Sequence, residues 1–185
     1  MKKIILASKS PRRKELLELT GLSFEILSKD TDETMDLKKD LKDEIKRVSY
    51  EKANIIFQNN NDAIVIGADT IVVLDQEILL KPLTVDNAIN MLKKLSGKCH
   101  QVLTGVTILY KDHTISWCEE SIVKFLELSD KQIIEYANTL EPLDKAGGYG
   151  IQGKGALLVD SIQGDYYSIM GLPISKVNRI LKKIL

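Results

Sequence analysis

Hydrophobic and polar positions divide this chain into short strands and amphipathic helices. Lys3 to Ala7 is a short apolar run with strand character. Ser10 can then cap a helix with Pro11 in its first position, where the missing N–H costs nothing. That helix runs to about Leu19 and stops at Gly21. Phe24 to Leu27 reads as a second strand, and Ser28 to Lys39 is a polar, acidic loop without periodicity. A long amphipathic helix follows from about Leu41 to Phe57, apolar at Leu41, Ile45, Val48, Ile55 and Ile56, and ended by Asn59-Asn60-Asn61.

Ala63 to Ala68 is continuously apolar, as expected of a strand covered on both faces. Ile71 to Leu74 and Ile78 to Leu80 suggest a hairpin around Asp75-Gln76. Val85 to Leu95 is helical, with Ala88, Ile89, Leu92 and Leu95 on one side and Gly97 just past its end. Gln101 to Tyr110 and Thr114 to Leu126 read as strands turned by Lys111-Asp112-His113. Asp130 to about Asn138 is a short helix, and residues 139–155 form a glycine-rich loop. Ala156 to Val159 is expected as a strand and Pro173 to Ile184 as a closing helix. Strands alternate with helices, so the class is α/β.

Composition narrows the function. With 44% hydrophobic residues in 185, the chain can bury a proper core as one large domain or two small lobes. Lysine plus arginine equals aspartate plus glutamate at 26 each, so bulk charge gives no reason to expect nucleic acid or an anionic membrane as partner. Affinity for phosphate must be local. The two cysteines, Cys99 and Cys118, form no C-x-x-C pair, and reduced cytosolic thiols are the default. The N-terminal apolar run is too short for a signal segment, and no run approaches the roughly 18 residues that span a bilayer. A soluble, cytoplasmic protein is expected.

Several polar residues break the local rules. Arg12 and Arg13 place two cations in the first turn of a helix, where the macrodipole favours acids. A phosphate would compensate, since free N–H groups and two guanidinium forks converge there; two solvated surface arginines are the plainer alternative. Lys52 falls in the middle of the apolar stripe of the Leu41–Phe57 helix, so it must pair, serve a ligand or snorkel to solvent. Asp69 ends the most apolar strand, a place where ligand groups gather, although an aspartate there can also merely cap a turn. Lys81-Pro82 ends the hairpin. Gly148 to Gly155 imitates the start of a Walker A sequence, but Gly155 stands where serine or threonine is required and the following residues look like a strand, so a P-loop is rejected. His100 and His113 belong to no H-E-x-x-H pattern, and no G-x-S-x-G occurs.

These segments resemble the Maf family. Leu6-Ala7-Ser8-Lys9-Ser10-Pro11-Arg12-Arg13 looks like its N-terminal motif and Gly67-Ala68-Asp69-Thr70-Ile71-Val72-Val73 like its central one. Leu80-Lys81-Pro82, Leu95-Ser96-Gly97, His100-Gln101-Val102, Thr104-Gly105-Val106 and Gly171-Leu172-Pro173 match in order, so the likeness covers essentially the whole chain. It implies an elongated mixed sheet flanked by helices in two lobes with a cleft, similar to the inosine triphosphatase group. The implied activity is hydrolysis of a nucleoside triphosphate between the α and β phosphates, a house-cleaning reaction of nucleotide metabolism, with a divalent cation (Mg²⁺, Mn²⁺ or Co²⁺). Residue by residue, Asp69 matches the family's proton acceptor and a metal-side position, and Glu33 an acidic position that helps hold the metal. Ser8, Arg12, Arg13, Lys52 and Lys81 match phosphate-side residues.

Lys145-Ala146-Gly147-Gly148-Tyr149-Gly150-Ile151-Gln152-Gly153 looks like the dTTP/UTP branch rather than the 7-methyl-GTP branch, with Arg12, Thr70 and Gln152 at specificity positions. An amide at Gln152 can both donate to and accept from a pyrimidine edge. Family members are often dimers. Two alternatives are a nucleotide-binding regulator of septum formation, which needs cations but no base, and a pyrophosphatase for 7-methyl-GTP or other modified nucleotides.

Overall fold

A computed structural model describes residues 2–185, which form a mixed α/β structure around a seven-stranded sheet. The strands are β1 (Ile4–Leu6), β2 (Glu25–Ile26), β3 (Ile64–Leu74), β4 (Glu77–Leu79), β5 (Cys99–Tyr110), β6 (His113–Phe125) and β7 (Val159–Gln163). Their order is β2-β1-β3-β5-β6-β7, with β4 paired to β3. The helices are α1 (Pro11–Glu18), α2 (Leu41–Phe57), α3 (Val85–Leu95), α4 (Asp130–Ala137), α5 (Tyr166–Met170) and α6 (Ile174–Ile184). The chain falls into two compact units. Of the described residues, the first comprises 2–70, 104–119 and 171–185, the second 71–103 and 120–170.

In the first unit, β1 pairs in parallel with both β2 and β3, Ile5 opposite Glu25 and Val65. α2 lies on this sheet through Ala53 and Ile56, which pack with Ile5, Ala7, Ala63, Val65 and Leu109. Two glycines let the helix come close. A Cβ on Gly67 would stand 2.3 Å from the Ser49 carbonyl oxygen, and one on Gly105 2.3 Å from that of Ile45. Only a residue with no side chain permits such contact between backbones. α2 starts at Asp40, whose carboxylate accepts from the backbone N–H groups of Lys42 and Asp43. The buried line of α2 differs from the apolar stripe read from sequence. It includes Glu44 and Ser49, whereas Leu41 and Ile55 are only half-buried.

In the second unit, β3 and β4 form the expected hairpin, with Asp75 (φ 49°) and Gln76 (φ 70°) in the left-handed conformations that a two-residue turn demands. Thr84 caps α3, and Ser129 with Gln132 forms a capping box on α4. His100, Phe125 and Tyr149 stack edge to face in its core.

Two strand expectations need correction. β3 does not stop before Asp69 but continues to Leu74, because buried β-branched residues follow on both faces. Of the strand expected over Ala156 to Val159, residues 156–158 belong instead to the 3₁₀ turns of Gly153–Leu158, and the strand begins at Val159. Glu141 holds the start of these turns by accepting from the N–H groups of Lys154 and Gly155. The short helix α5 has no sequence signature, and Asp165 starts it by accepting from the Ser168 N–H at 2.7 Å.

Candidate functional site

Strand alternation puts Gly67 and Asp69 on the same face of β3, two residues apart. The closeness that Gly67 grants at Ser49 and Ala53 therefore places the turn of α2 between them, which carries Lys52, beside Asp69. Lys52 meets it there. Its ammonium donates to Asp69 Oδ1 at 2.5 Å and lies 2.7 Å from Glu33 Oε1 in the loop between β2 and α2. The side chains of Lys52 and Asp69 are each only 13% exposed, while that of Glu33 is 57% exposed. The lysine that interrupts the helix's apolar stripe is thus held by two carboxylates.

Arg13 approaches the same aspartate from α1. Ser10 caps that helix by accepting from the Arg13 N–H, which leaves the Arg13 side chain to fold back toward β3. Its Nε donates to the Gly171 carbonyl at 2.8 Å, and its two terminal nitrogens donate to Ser8 Oγ at 3.3 Å and Thr70 Oγ1 at 3.1 Å. Burial pushes the guanidinium's pKa down from its ordinary value, and the nearby charges of Asp69 and Glu33 act against that while Arg12 adds to it. A guanidinium remains a cation under these conditions. Thr70 is bonded in turn to Thr104 at 2.9 Å.

Seven of the residues singled out from sequence lie in the first unit: Ser8, Arg12, Arg13, Glu33, Lys52, Asp69 and Thr70. Hydrogen bonds and ion pairs join Ser8, Arg13 and Thr70 in one set and Lys52, Asp69 and Glu33 in another. Arg12 stands half-buried in the first turn of α1. Lys81 and Gln152 are exposed residues of the second unit. Gln152 precedes the 3₁₀ turns, in a loop tied down by Glu141 and by the Tyr136 hydroxyl, which accepts from the Gly150 N–H at 3.0 Å. Thr104 and Gly171 carried no role in the sequence reading. Gly171 sits at φ 114°, and its glycine signal was visible in Gly171-Leu172-Pro173, but nothing local tells which donor its carbonyl meets.

A hard divalent cation would find two carboxylates here, Glu33 and Asp69, which already share one positive group in Lys52. Among the described residues no group of three or more His, Cys, Asp or Glu side chains could hold a metal. The pair fits an ion of the magnesium type, which binds one or two carboxylates and completes its shell with water and phosphate oxygens. It does not fit a structural zinc site.

The profile of the family described as Maf-like protein matches residues 3–184 of this chain. A protein of Bacillus cereus (strain G9842) named dTTP/UTP pyrophosphatase is 51% identical over 183 residues, covering 99% of this chain and 96% of that protein. A protein of the same name from Bacillus anthracis matches at 51% identity with the same coverage. Among solved structures, the Staphylococcus aureus Ham1 protein superposes with a TM-score of 0.58 at 14% identity, covering 100% of both chains. A HAM1 protein from Coxiella burnetii gives 0.53 at 13% identity, over 99% of this chain and 100% of that one. At such identities these two structures speak for the fold alone.

Proposed function

The chain belongs to the Maf family, and from that membership and the cluster around Asp69 we propose that it hydrolyses nucleoside triphosphates, dTTP and UTP by preference, to the monophosphate and pyrophosphate. The observation that carries the reading is the Asp69 carboxylate, largely buried on β3 yet bonded through Oδ1 to Lys52 and facing the charge of Arg13. A carboxylate placed between two cations, with one oxygen not engaged by Lys52, is set to take a proton from water.

In this reading the water oxygen attacks the α-phosphorus, the bond from that phosphorus to the α–β bridging oxygen breaks, and pyrophosphate leaves. Asp69 accepts the water proton through the oxygen that Lys52 leaves unused. Lys52 and Arg13 stabilise the charge that builds on the phosphate oxygens. Glu33 and Asp69 would hold the divalent ion, Mg²⁺, Mn²⁺ or Co²⁺, which when bound screens the polyphosphate charge and acidifies bound water. Ser8, Arg12 and Lys81 are assigned to phosphate oxygens, and Thr70 and Gln152 to selection of the base. A side-chain amide satisfied by a pyrimidine edge and left unpaired by a purine would discriminate by the cost of the unpaired group.

The test is a panel of nucleoside triphosphates with Mg²⁺ or Mn²⁺, with pyrophosphate and orthophosphate measured separately. Pyrophosphate from dTTP and UTP is expected, and Asp69→Asn should lower that rate by about 10²–10⁴-fold with the fold retained by circular dichroism. Orthophosphate as the product, or equal turnover of all purine triphosphates, would sink the assignment. Tight nucleotide binding without product would mark a binding protein instead.

A further inference from the structure

Glu33 is a mostly exposed side chain on a loop that is neither helix nor strand, so packing does not explain how it is held against Lys52. We propose that Arg47, backed by Glu44, is a positioning residue that fixes the loop carrying Glu33 to helix α2 and so sets where Glu33 stands beside Lys52 and Asp69. The inference rests on the reading of Glu33 as a metal-side carboxylate.

The contacts lie within three residues on the C-terminal side of Glu33. One terminal nitrogen of Arg47 donates to the Thr34 carbonyl at 2.6 Å and to Glu44 Oε2 at 3.0 Å. Arg47 Nε reaches both Glu44 oxygens at 3.3 Å, and the other terminal nitrogen donates to Glu51 at 2.7 Å. Glu44, with a side chain only 5% exposed, also accepts from the Asp36 N–H at 3.0 Å. The backbone just after Glu33 is therefore bonded twice to a charge pair on α2. Hydrogen bonds from Arg47 and from the Asp36 backbone hold the Glu44 carboxyl below its usual range, and those to Glu44 and Glu51 raise the Arg47 guanidinium above its own.

α2 also carries Lys52, five residues beyond Arg47, or about 7.5 Å along the axis. One rigid helix thus spaces the clamp on the Glu33 loop from the lysine that meets Glu33. An exposed pair at i,i+3 or i,i+4 spacing would serve only the helix. The bonds to Thr34 and Asp36 leave the helix, and Glu44 is buried, which is what a positioning role requires. Outer contacts of this kind change metal affinity by roughly 10–100-fold when removed.

Arg47→Met and Glu44→Gln should each raise the Mg²⁺ concentration for half-maximal pyrophosphate release about 10-fold or more, while kcat at saturating Mg²⁺ stays within about 3-fold of the parent. Arg47→Lys should fall between, since one ammonium cannot span Glu44, Glu51 and Thr34 together. Glu51→Gln, which removes only the pair within the helix, should leave the half-activating concentration unchanged. Binding of Mn²⁺ without nucleotide, followed by electron paramagnetic resonance, should weaken in the same order. An unchanged metal requirement and Mn²⁺ affinity in folded Arg47→Met, or an equal effect from Glu51→Gln, overturns the proposal. A parent chain that releases no pyrophosphate would overturn the proposed activity instead, and the Mn²⁺ titrations would still decide the role of Arg47.

Discussion

Gly67→Ala tests whether the site depends on the contact between α2 and β3. The new methyl carbon would lie 2.3 Å from the Ser49 carbonyl oxygen, 2.8 Å from the Ala53 nitrogen and 2.9 Å from the Ala53 Cβ. Two of these are helix backbone atoms, which cannot rotate away. The helix must therefore retreat by about 1 Å to reach ordinary van der Waals separation. Overpacking of this kind costs about 1–3 kcal/mol, which for a chain of this size lowers Tm by roughly 3–10 °C. The same displacement carries Lys52 away from Asp69, a pair now at 2.5 Å, and misplacing a catalytic group by that distance costs on the order of 10²-fold in rate. Thermal unfolding and pyrophosphate release at saturating nucleotide, measured on the folded variant, read the two effects separately. Gly21→Ala is the control, because Gly21 has φ +70° but open space for a methyl group. It should lose about 1 kcal/mol and keep its rate. Full activity in Gly67→Ala, or the same rate loss in Gly21→Ala, would refute the coupling between helix approach and site geometry.

Two further predictions follow from the buried polar groups. Lys52→Met leaves the Asp69 carboxylate without its close cation; it should lose about 1–3 kcal/mol and most activity. In Lys52→Met with Asp69→Asn the stability should return while the rate does not, as denaturant titration and the pyrophosphate assay would show. Burial lowers the His100 pKa from 6.5 to about 4, so between these values the unfolded chain binds the proton that the folded chain refuses. Its contribution to stability is complete above about pH 6.5 and falls toward pH 4 by up to about 1.4 kcal/mol per pH unit. In His100→Gln the stability curve should be flatter across that window; an unchanged slope would show that His100 does not drive it.

Much of the fold was legible along the chain because its rules are local. The 3.6-residue period and an asparagine tract gave α2 the bounds Leu41–Phe57, and the same reasoning gave α3 the bounds Val85–Leu95. Ser10 with Pro11 marked the start of α1. The misfit of Lys52 in an apolar stripe announced that it needed a partner.

Which partner it found was decided by tertiary structure. Gly67 and Gly105 bring α2 onto the backbones of β3 and β5, and only then do Asp69 and Glu33 both come within reach of one ammonium. Arg13 finds the carbonyl of Gly171, 158 residues away, a contact that no periodicity encodes. Glu44, an acid in the first turn of α2, is buried with Arg47 and the Asp36 N–H as its partners, which nothing in the helical period indicates. Residues 156–158 continue 3₁₀ turns whose start Glu141 holds by accepting from the Lys154 and Gly155 N–H groups, 13 and 14 residues away in the chain. Sequence determines conformation where neighbours within about a turn compete for the same backbone groups. The meeting of distant charges is decided only when the sheet closes, since each partner's choice depends on which surfaces lose water together.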